Sequence, residues 1–218
     1  MKVVAVVPMK LNNERLPNKN TKSFDNGNPL CYYILKTLLS IKIIDEIYVY
    51  CSNEAIKGYL PNGVKYLKRS ADLDQSTTKI NEVLFSFAKD VPADVYVMAH
   101  TTAPFIKSES ILNGLNKVLS GENDSSFAAK RIQEFLWQDG KPMNYSLENI
   151  PRTQDLPVIY AETSSFYIYN QDTIMQKKRR IGDNPYVVEI GQIESVDIDE
   201  KEDFDIANAI YNYYGEKI

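Results

Sequence analysis

The β-branched apolar run Val3-Val4-Ala5-Val6-Val7 breaks at Pro8 into a polar loop that carries Lys10, Arg15, Lys19 and Lys22 against Glu14 and Asp25. A strand that is apolar on both faces fits a parallel sheet covered on both sides. A loop leaving the carboxyl end of such a strand lies where open α/β sheets bind their ligands. Cations gathered there point to an anion, a polyphosphate above all; the alternative is a lysine-rich turn in solvent. Neither G-x-x-x-x-G-K-[ST] nor G-x-G-x-x-G occurs between Val7 and Pro29, which disfavours P-loop kinases and dinucleotide dehydrogenases. Side chains must then do much of the phosphate neutralisation, Arg15 as a planar bidentate fork and Lys10 and Lys19 as point charges.

The rest of the chain alternates strand-like and helix-like segments, the pattern of a parallel-sheet α/β domain. Strands are expected at Val3–Val7, Ile47–Cys51, near Val64–Leu67, at Val95–Ala99, Ser126–Ala129 and Ser164–Tyr169, and over a last segment ending Ser195-Val196-Asp197-Ile198-Asp199. Helices are expected from Pro29 to Ser40, where Ile34, Leu35, Leu38 and Leu39 share a face, and behind Ser76-Thr77-Thr78, with Ile80, Val83, Leu84 and Phe87 on one stripe. Two more are expected near Glu109–Leu119 and over the C-terminal stretch with Phe204, Ala207, Ile210, Tyr211 and Tyr214. Residues 1–218 read as one domain, with no internal repeat or linker. The exception is an irregular excursion over about residues 134–158, where Leu136 and Trp137 have no core of their own. That excursion reads as an arm against a second subunit or as a hairpin folded back on the same domain.

Bulk composition narrows the partners. The 218 residues carry 25 Lys and Arg against 29 Asp and Glu, a net charge of −4, which argues against a general nucleic-acid or membrane-surface binder. Any anion site must be a local basic patch. Two cysteines, Cys31 and Cys51, build neither a disulfide framework nor a zinc cluster. No apolar run is long enough to span a bilayer and the N-terminus reads directly as a strand, so a cytoplasmic protein is expected.

Four further features bear on chemistry. Asp197 and Asp199 flank Ile198; at strand spacing both carboxylates face one side, a pair of hard oxygen ligands suited to Mg²⁺. The competing reading makes Asp199 a helix N-cap with Glu202 as its capping-box partner. His100, the only histidine, ends a central strand beside Thr101 and Thr102 and reads as a positioning hydrogen-bond partner ahead of a general base. Arg152 lies in the irregular segment, ready for a carboxylate or a pyrophosphate, or else closed in an exposed salt bridge. The run Lys177-Lys178-Arg179-Arg180 reads as a solvated helix end without chemistry.

Taken together, several segments resemble the acylneuraminate cytidylyltransferases and their relatives that activate 3-deoxy-octulosonate. Pro8-Met9-Lys10-Leu11-Asn12-Asn13-Glu14-Arg15-Leu16-Pro17-Asn18-Lys19-Asn20 is similar to that family's P-A-R-x-x-S-x-R-L-P-x-K-N. Asp25-Asn26-Gly27-Asn28-Pro29-Leu30 matches its G-x-P-L, Leu73–Thr77 its L-A-x-D-x-T, and Pro151-Arg152-Thr153-Gln154-Asp155-Leu156-Pro157 its P-R-Q-x-L-P. Val196-Asp197-Ile198-Asp199 with Glu202-Asp203 matches the terminal D-I-D-x-x-x-D.

The resemblance implies a Rossmann-like three-layer α/β nucleotidyltransferase with a mostly parallel sheet and a small dimerisation arm. It implies CTP, Mg²⁺, a sugar-acid acceptor and a homodimer. By position, Lys10 and Lys19 would contact the CTP phosphates, Asn20 and Thr77 the ribose or cytosine, Arg152 the sugar acid, and Asp197 and Asp199 the metal. Departures fall mainly on the sugar side. His100-Thr101-Thr102-Ala103-Pro104 stands for Q-P-T-S-P, Glu162-Thr163-Ser164 for P-N-G, and Leu136 or Trp137 for the arm lysine; on the nucleotide side Lys10 replaces an arginine. Other acceptors remain open, among them a phosphonate, a phosphorylated metabolite or an eight-carbon sugar acid. So does a non-catalytic nucleotide-binding role.

Overall fold

The computed structural model describes residues 1–215. Along the chain run β1 (Val3–Met9), α1 (Leu30–Ser40), β2 (Glu46–Cys51), β3 (Val64–Lys68), α2 (Ile80–Asp90), β4 (Val95–Ala99), α3 (Ser108–Leu119) and β5 (Ser125–Ile132). Then follow β6 (Trp137–Gln138), β7 (Lys141–Pro142), β8 (Ile159–Asn170), α4 (Gln171–Met175), β9 (Pro185–Glu189) and α5 (Lys201–Tyr214). The main sheet has seven strands in the order β3-β2-β1-β4-β8-β5-β9. Every neighbour pair is parallel except those made by β8, which runs antiparallel to both β4 and β5.

The period-two alternation of the strands sorts their side chains between two layers. Val3, Ala5 and Val7 pack with Ile34, Leu35 and Leu38 of α1 and Ile111, Leu115 and Val118 of α3. Val4, Val6, Tyr96 and Met98 face the other way, onto Val83, Leu84 and Phe87 of α2 and Ile174 of α4. The three-layer expectation holds, because β1 and β4 have no solvent face. A third cluster joins Leu16, Phe24 and Tyr33 to Ile198, Phe204 and Ala207, and so seats α5 on the basic loop.

Four sequence expectations need correction. The segment ending at Asp199 is no strand: residues 196–199 have no regular secondary structure and pair with no strand, and the actual late strand is β9, parallel to β5. Ser76-Thr77-Thr78 does not cap α2; the cap is Lys79, whose backbone N–H donates to Glu82 (3.4 Å). Nor is Asp199 a cap with Glu202 as partner. The cap register lies one residue later, at Glu200, and Asp203 accepts from the backbone N–H groups of both Asp199 and Glu200 (2.9 Å each). The irregular segment needs no such correction: it contains a short hairpin, β6–β7, whose turn residues Asp139 and Gly140 both have positive φ (50° and 75°), the two-residue turn that suits strand twist. Finally, Lys177–Arg180 is no solvated helix end. α4 stops at Met175 and the run lies in a loop tied to Asp183, Asp124 and Glu162.

Candidate active site

The carboxyl ends of β1 and β4 lie side by side, and the loops leaving them are cross-linked by one buried amide. The Asn20 side chain donates to the Lys10 carbonyl (2.7 Å) and accepts from the Thr101 hydroxyl. Asn18 takes a left-handed φ of 57° just before the turn that carries Lys19 and Asn20, a conformation asparagine tolerates better than most residues. A cleft of about 240 Å³ opens here, lined among others by Lys10, Lys19, Asn20, Arg69, His100 and Thr102. A larger hollow of about 540 Å³ between α1, the start of α3 and Tyr211 contains none of the residues singled out from the sequence, so the smaller cleft is taken as the site.

Lys19 is a buried lysine and is partnered accordingly. Its Nζ donates to the Ile198 carbonyl (2.8 Å) and to Asp199 Oδ1 (3.2 Å). Arg15 reaches the same Asp199 oxygen (2.7 Å). The Ile198 backbone N–H in turn donates to the Thr102 carbonyl (3.0 Å), so Ile198, itself fully buried, pins the carboxylate segment to the β4 loop. This stitching brings Asp197 and Asp199 to the basic loop without a strand.

The two carboxylates differ in electrostatics. For Asp197, loss of hydration in the crowded cleft raises the pKa; the Asp199 charge adds to the rise, while a hydrogen bond from Thr102 and the charge of Lys19 oppose it. Burial would also raise Asp199, but hydrogen bonds and charge from Lys19 and Arg15 outweigh it and hold the carboxyl below the usual range. Asp197 therefore has less compensating positive charge around it than Asp199. Among the described residues no group of three or more His, Cys, Asp or Glu side chains could hold a metal ion. A cation at this pair would have to complete its shell from water and ligand oxygens, the habit of Mg²⁺.

His100 is half-buried on the cleft wall, with its backbone N–H on the Ser165 carbonyl (3.1 Å). Burial, with the charges of Arg180 and Lys19, drives its pKa down to about 4. It is a neutral imidazole near pH 7 and no charge switch. Next to it β8 bulges: the register with β5 shifts between Phe127 and Ala129, and Ser164 sits at φ 56°. The resemblance's P-N-G puts a glycine at that position, and only glycine takes such a φ without strain.

Of the residues chosen from sequence, Lys10, Lys19, Asn20 and His100 line one cleft, and Arg15, Asp197 and Asp199 join it through Lys19 and Thr102. Thr77 does not line it; it is exposed, and its neighbours Gln75 and Thr78 take that place. Arg152 is exposed and closed onto Asp155 by Nε (2.7 Å) and Nη2 (3.0 Å).

Sequence reasoning missed Arg69, buried at the carboxyl end of β3 and ion-paired with Asp74, which also accepts from Ser52. Its Nε is a buried donor without a partner. An arginine directly after the carboxyl end of a short strand was the available signal. Arg180 was missed because a run of like charges reads as solvent-facing.

The cytidylyltransferase family profile matches residues 4–218. The N-acylneuraminate cytidylyltransferase of Streptococcus agalactiae is 22% identical over 94% of this chain and 52% of its own length, so this chain spans about half of that relative. The CMP-N,N'-diacetyllegionaminic acid synthase of Legionella pneumophila is 27% identical over 91% of both chains. Among solved structures, the CMP:2-keto-3-deoxy-manno-octonic acid synthetase complexed with CTP superposes with a TM-score of 0.72 at 12% identity, over 98% of this chain and 99% of the other.

Proposed function

The chain belongs to the cytidylyltransferase family, and from that membership we propose that it is a Mg²⁺-dependent enzyme joining CTP to a sialic-acid-like 2-keto sugar acid. The products are a CMP-sugar and pyrophosphate. The observation that carries this reading is the junction of the basic β1 loop with the Asp197–Asp199 segment through Lys19. Phosphate cations and a metal-type carboxylate pair meet at one strand end.

Mg²⁺ would be held by Asp197 and Asp199, and it would supply charge neutralisation on the triphosphate and polarisation of the α-phosphorus. The fit rests on the donor set, two carboxylates beside the basic loop, of which Asp197 has the less compensating positive charge. The chain's own part is positioning and electrostatics, as in other phosphoryl transfers. Lys10 and Lys19 face the phosphates. Arg15 is held at the cleft by Asp199 and offers the remaining donors of its fork. Arg69, which lines the cleft, adds a further cation on the nucleotide side. The acceptor hydroxyl attacks in line, opposite the departing pyrophosphate. No side chain stands out as a general base, and neutral His100 serves as a hydrogen-bond partner on the acceptor side.

The β6–β7 excursion is the proposed dimerisation arm, with the enzyme acting as a cytoplasmic homodimer. No helix among the described residues is long and apolar enough to cross a membrane. The test is thermal stabilisation by nucleotides in Mg²⁺, since a ligand that binds only the native state raises the melting temperature. CTP should stabilise more than ATP, GTP or UTP; equal shifts with all four would remove the cytidylyl assignment.

A further inference from the structure

A sugar-acid acceptor brings a carboxylate, and the site must meet it with a cation. The positions expected to do so are unsuited. Leu136 and Trp137 stand where the arm lysine would be, and Arg152 is already closed onto Asp155. Lys10, Lys19 and Arg15 belong to the triphosphate in this reading, and Lys19 and Arg15 are also paired with Asp199.

Arg180 is different. Its guanidinium lies 3.7 Å from the Tyr167 ring centroid, and its Nη2 donates to the Tyr167 hydroxyl (3.0 Å) and to Glu162 (3.1 Å). Tyr167 pairs with Met98 of β4, two residues before His100, and the Arg180 charge is felt at the imidazole. The side chain is 19% exposed. Both hydrogen bonds use Nη2, which leaves the Nη1 and Nε donors for a carboxylate.

The loop that carries Arg180 is also fixed. Asp124 accepts from the backbone N–H groups of Asp183 (2.7 Å) and Asn184 (3.2 Å), and Gly182 N–H donates to Ser125 (2.8 Å). A Cβ at Gly182 would collide with the Asp124 carboxylate, so glycine is required for this close approach. A guanidinium stacked on a ring and held by an anchored loop is preorganised, which lowers the entropic cost of using it.

We infer that Arg180 is the acceptor-binding cation of this site and receives the carboxylate of the sugar acid beside His100. The inference rests on the sugar-acid cytidylyltransferase reading and adds to it a residue that selects for an anionic acceptor. Glu162 is then the holder of Arg180, balancing its charge until the acceptor arrives.

The experiment is pyrophosphate release in CTP and Mg²⁺ with a panel of eight- and nine-carbon 2-keto sugar acids, comparing wild type with Arg180→Gln, Arg180→Lys and Glu162→Gln. In Arg180→Gln the acceptor KM should rise by about one to two orders of magnitude, the worth of a charge-assisted hydrogen bond, with the CTP KM within about twofold. Arg180→Lys should recover part of the loss, which a packing role for the planar group would not allow. Glu162→Gln keeps the cation and removes the anion that competes with the acceptor carboxylate for it, so the acceptor KM should fall. An unchanged acceptor KM in Arg180→Gln, beside an active wild type, overturns the role of Arg180 and leaves the functional reading standing. So does a tenfold rise in Glu162→Gln if Arg180→Gln fails to fold. Should the wild type turn over no acid of the panel, the functional reading falls. Calorimetric binding of the same acids then decides Arg180: binding lost in Arg180→Gln supports it, and equal or absent binding overturns it.

Discussion

Asp197 and Asp199 stand two residues apart in opposite surroundings, and their variants should separate accordingly. Asp197 has a raised pKa and Asp199 a lowered one. Asp197→Asn removes the less compensated anion, so turnover should vanish while the urea midpoint stays level or rises. Asp199→Asn uncouples Arg15 and Lys19, so turnover should fall and stability should drop, by about 1–3 kcal/mol for the buried lysine left without its anion. Near-normal rates in both variants at saturating Mg²⁺ would confine the pair to a structural role. His100 offers a pH test. Its folded pKa of about 4 lies below the ordinary 6.5, so in that window the unfolded chain binds the extra proton. Its contribution to stability is complete above 6.5 and is lost as pH falls towards 4. Urea midpoints should therefore decline less between pH 6.5 and 4.5 in His100→Gln than in the wild type; parallel declines would contradict a neutral imidazole at the half-buried cleft wall.

At the scale of elements, the exposed apolar side chains of the excursion call for a cover. Trp137, Met143, Leu147 and Ile150 are 53%, 56%, 59% and 61% exposed, while Tyr145 meets the Phe135 ring at a tilt and the Trp137 ring edge-on. In the proposed dimer the second subunit would cover these side chains. Sedimentation should give a dimer at micromolar concentration, and Trp137→Glu with Leu147→Glu should give a folded monomer of reduced activity. A fully active monomeric wild type would rule the arm out. The sequence made some elements plain and hid others, for physical reasons. β1 and β4 were legible because an apolar run bounded by turn residues fits little else. β9 was not, because it is short, opens on Pro185 and keeps only Val188 buried. Asp197–Asp199 looked like a strand because Ile198 is buried between polar neighbours. What it pairs with is Thr102 and Lys19, distant partners that no local pattern encodes. Arg180 was hidden for the same reason, since Glu162 lies eighteen residues away.

Over the whole molecule, the order β3-β2-β1-β4-β8-β5-β9 puts β1 and β4 at the centre, and their carboxyl ends form the cleft. The basic loop, the β4 loop and the segment before α5 converge there from opposite ends of the chain. Lys19 and Ile198, 179 residues apart, share a hydrogen bond of 2.8 Å. Binding and chemistry thus depend on the complete fold rather than on any single motif. The central claim is cytidylyl transfer at this junction, and pyrophosphate release tests it most directly. Wild type with Mg²⁺ and a panel of 2-keto sugar acids should release pyrophosphate with CTP, in step with formation of a CMP-sugar, and far more slowly with ATP, GTP or UTP. No release with any acid, or equal release with all four nucleotides, would contradict it.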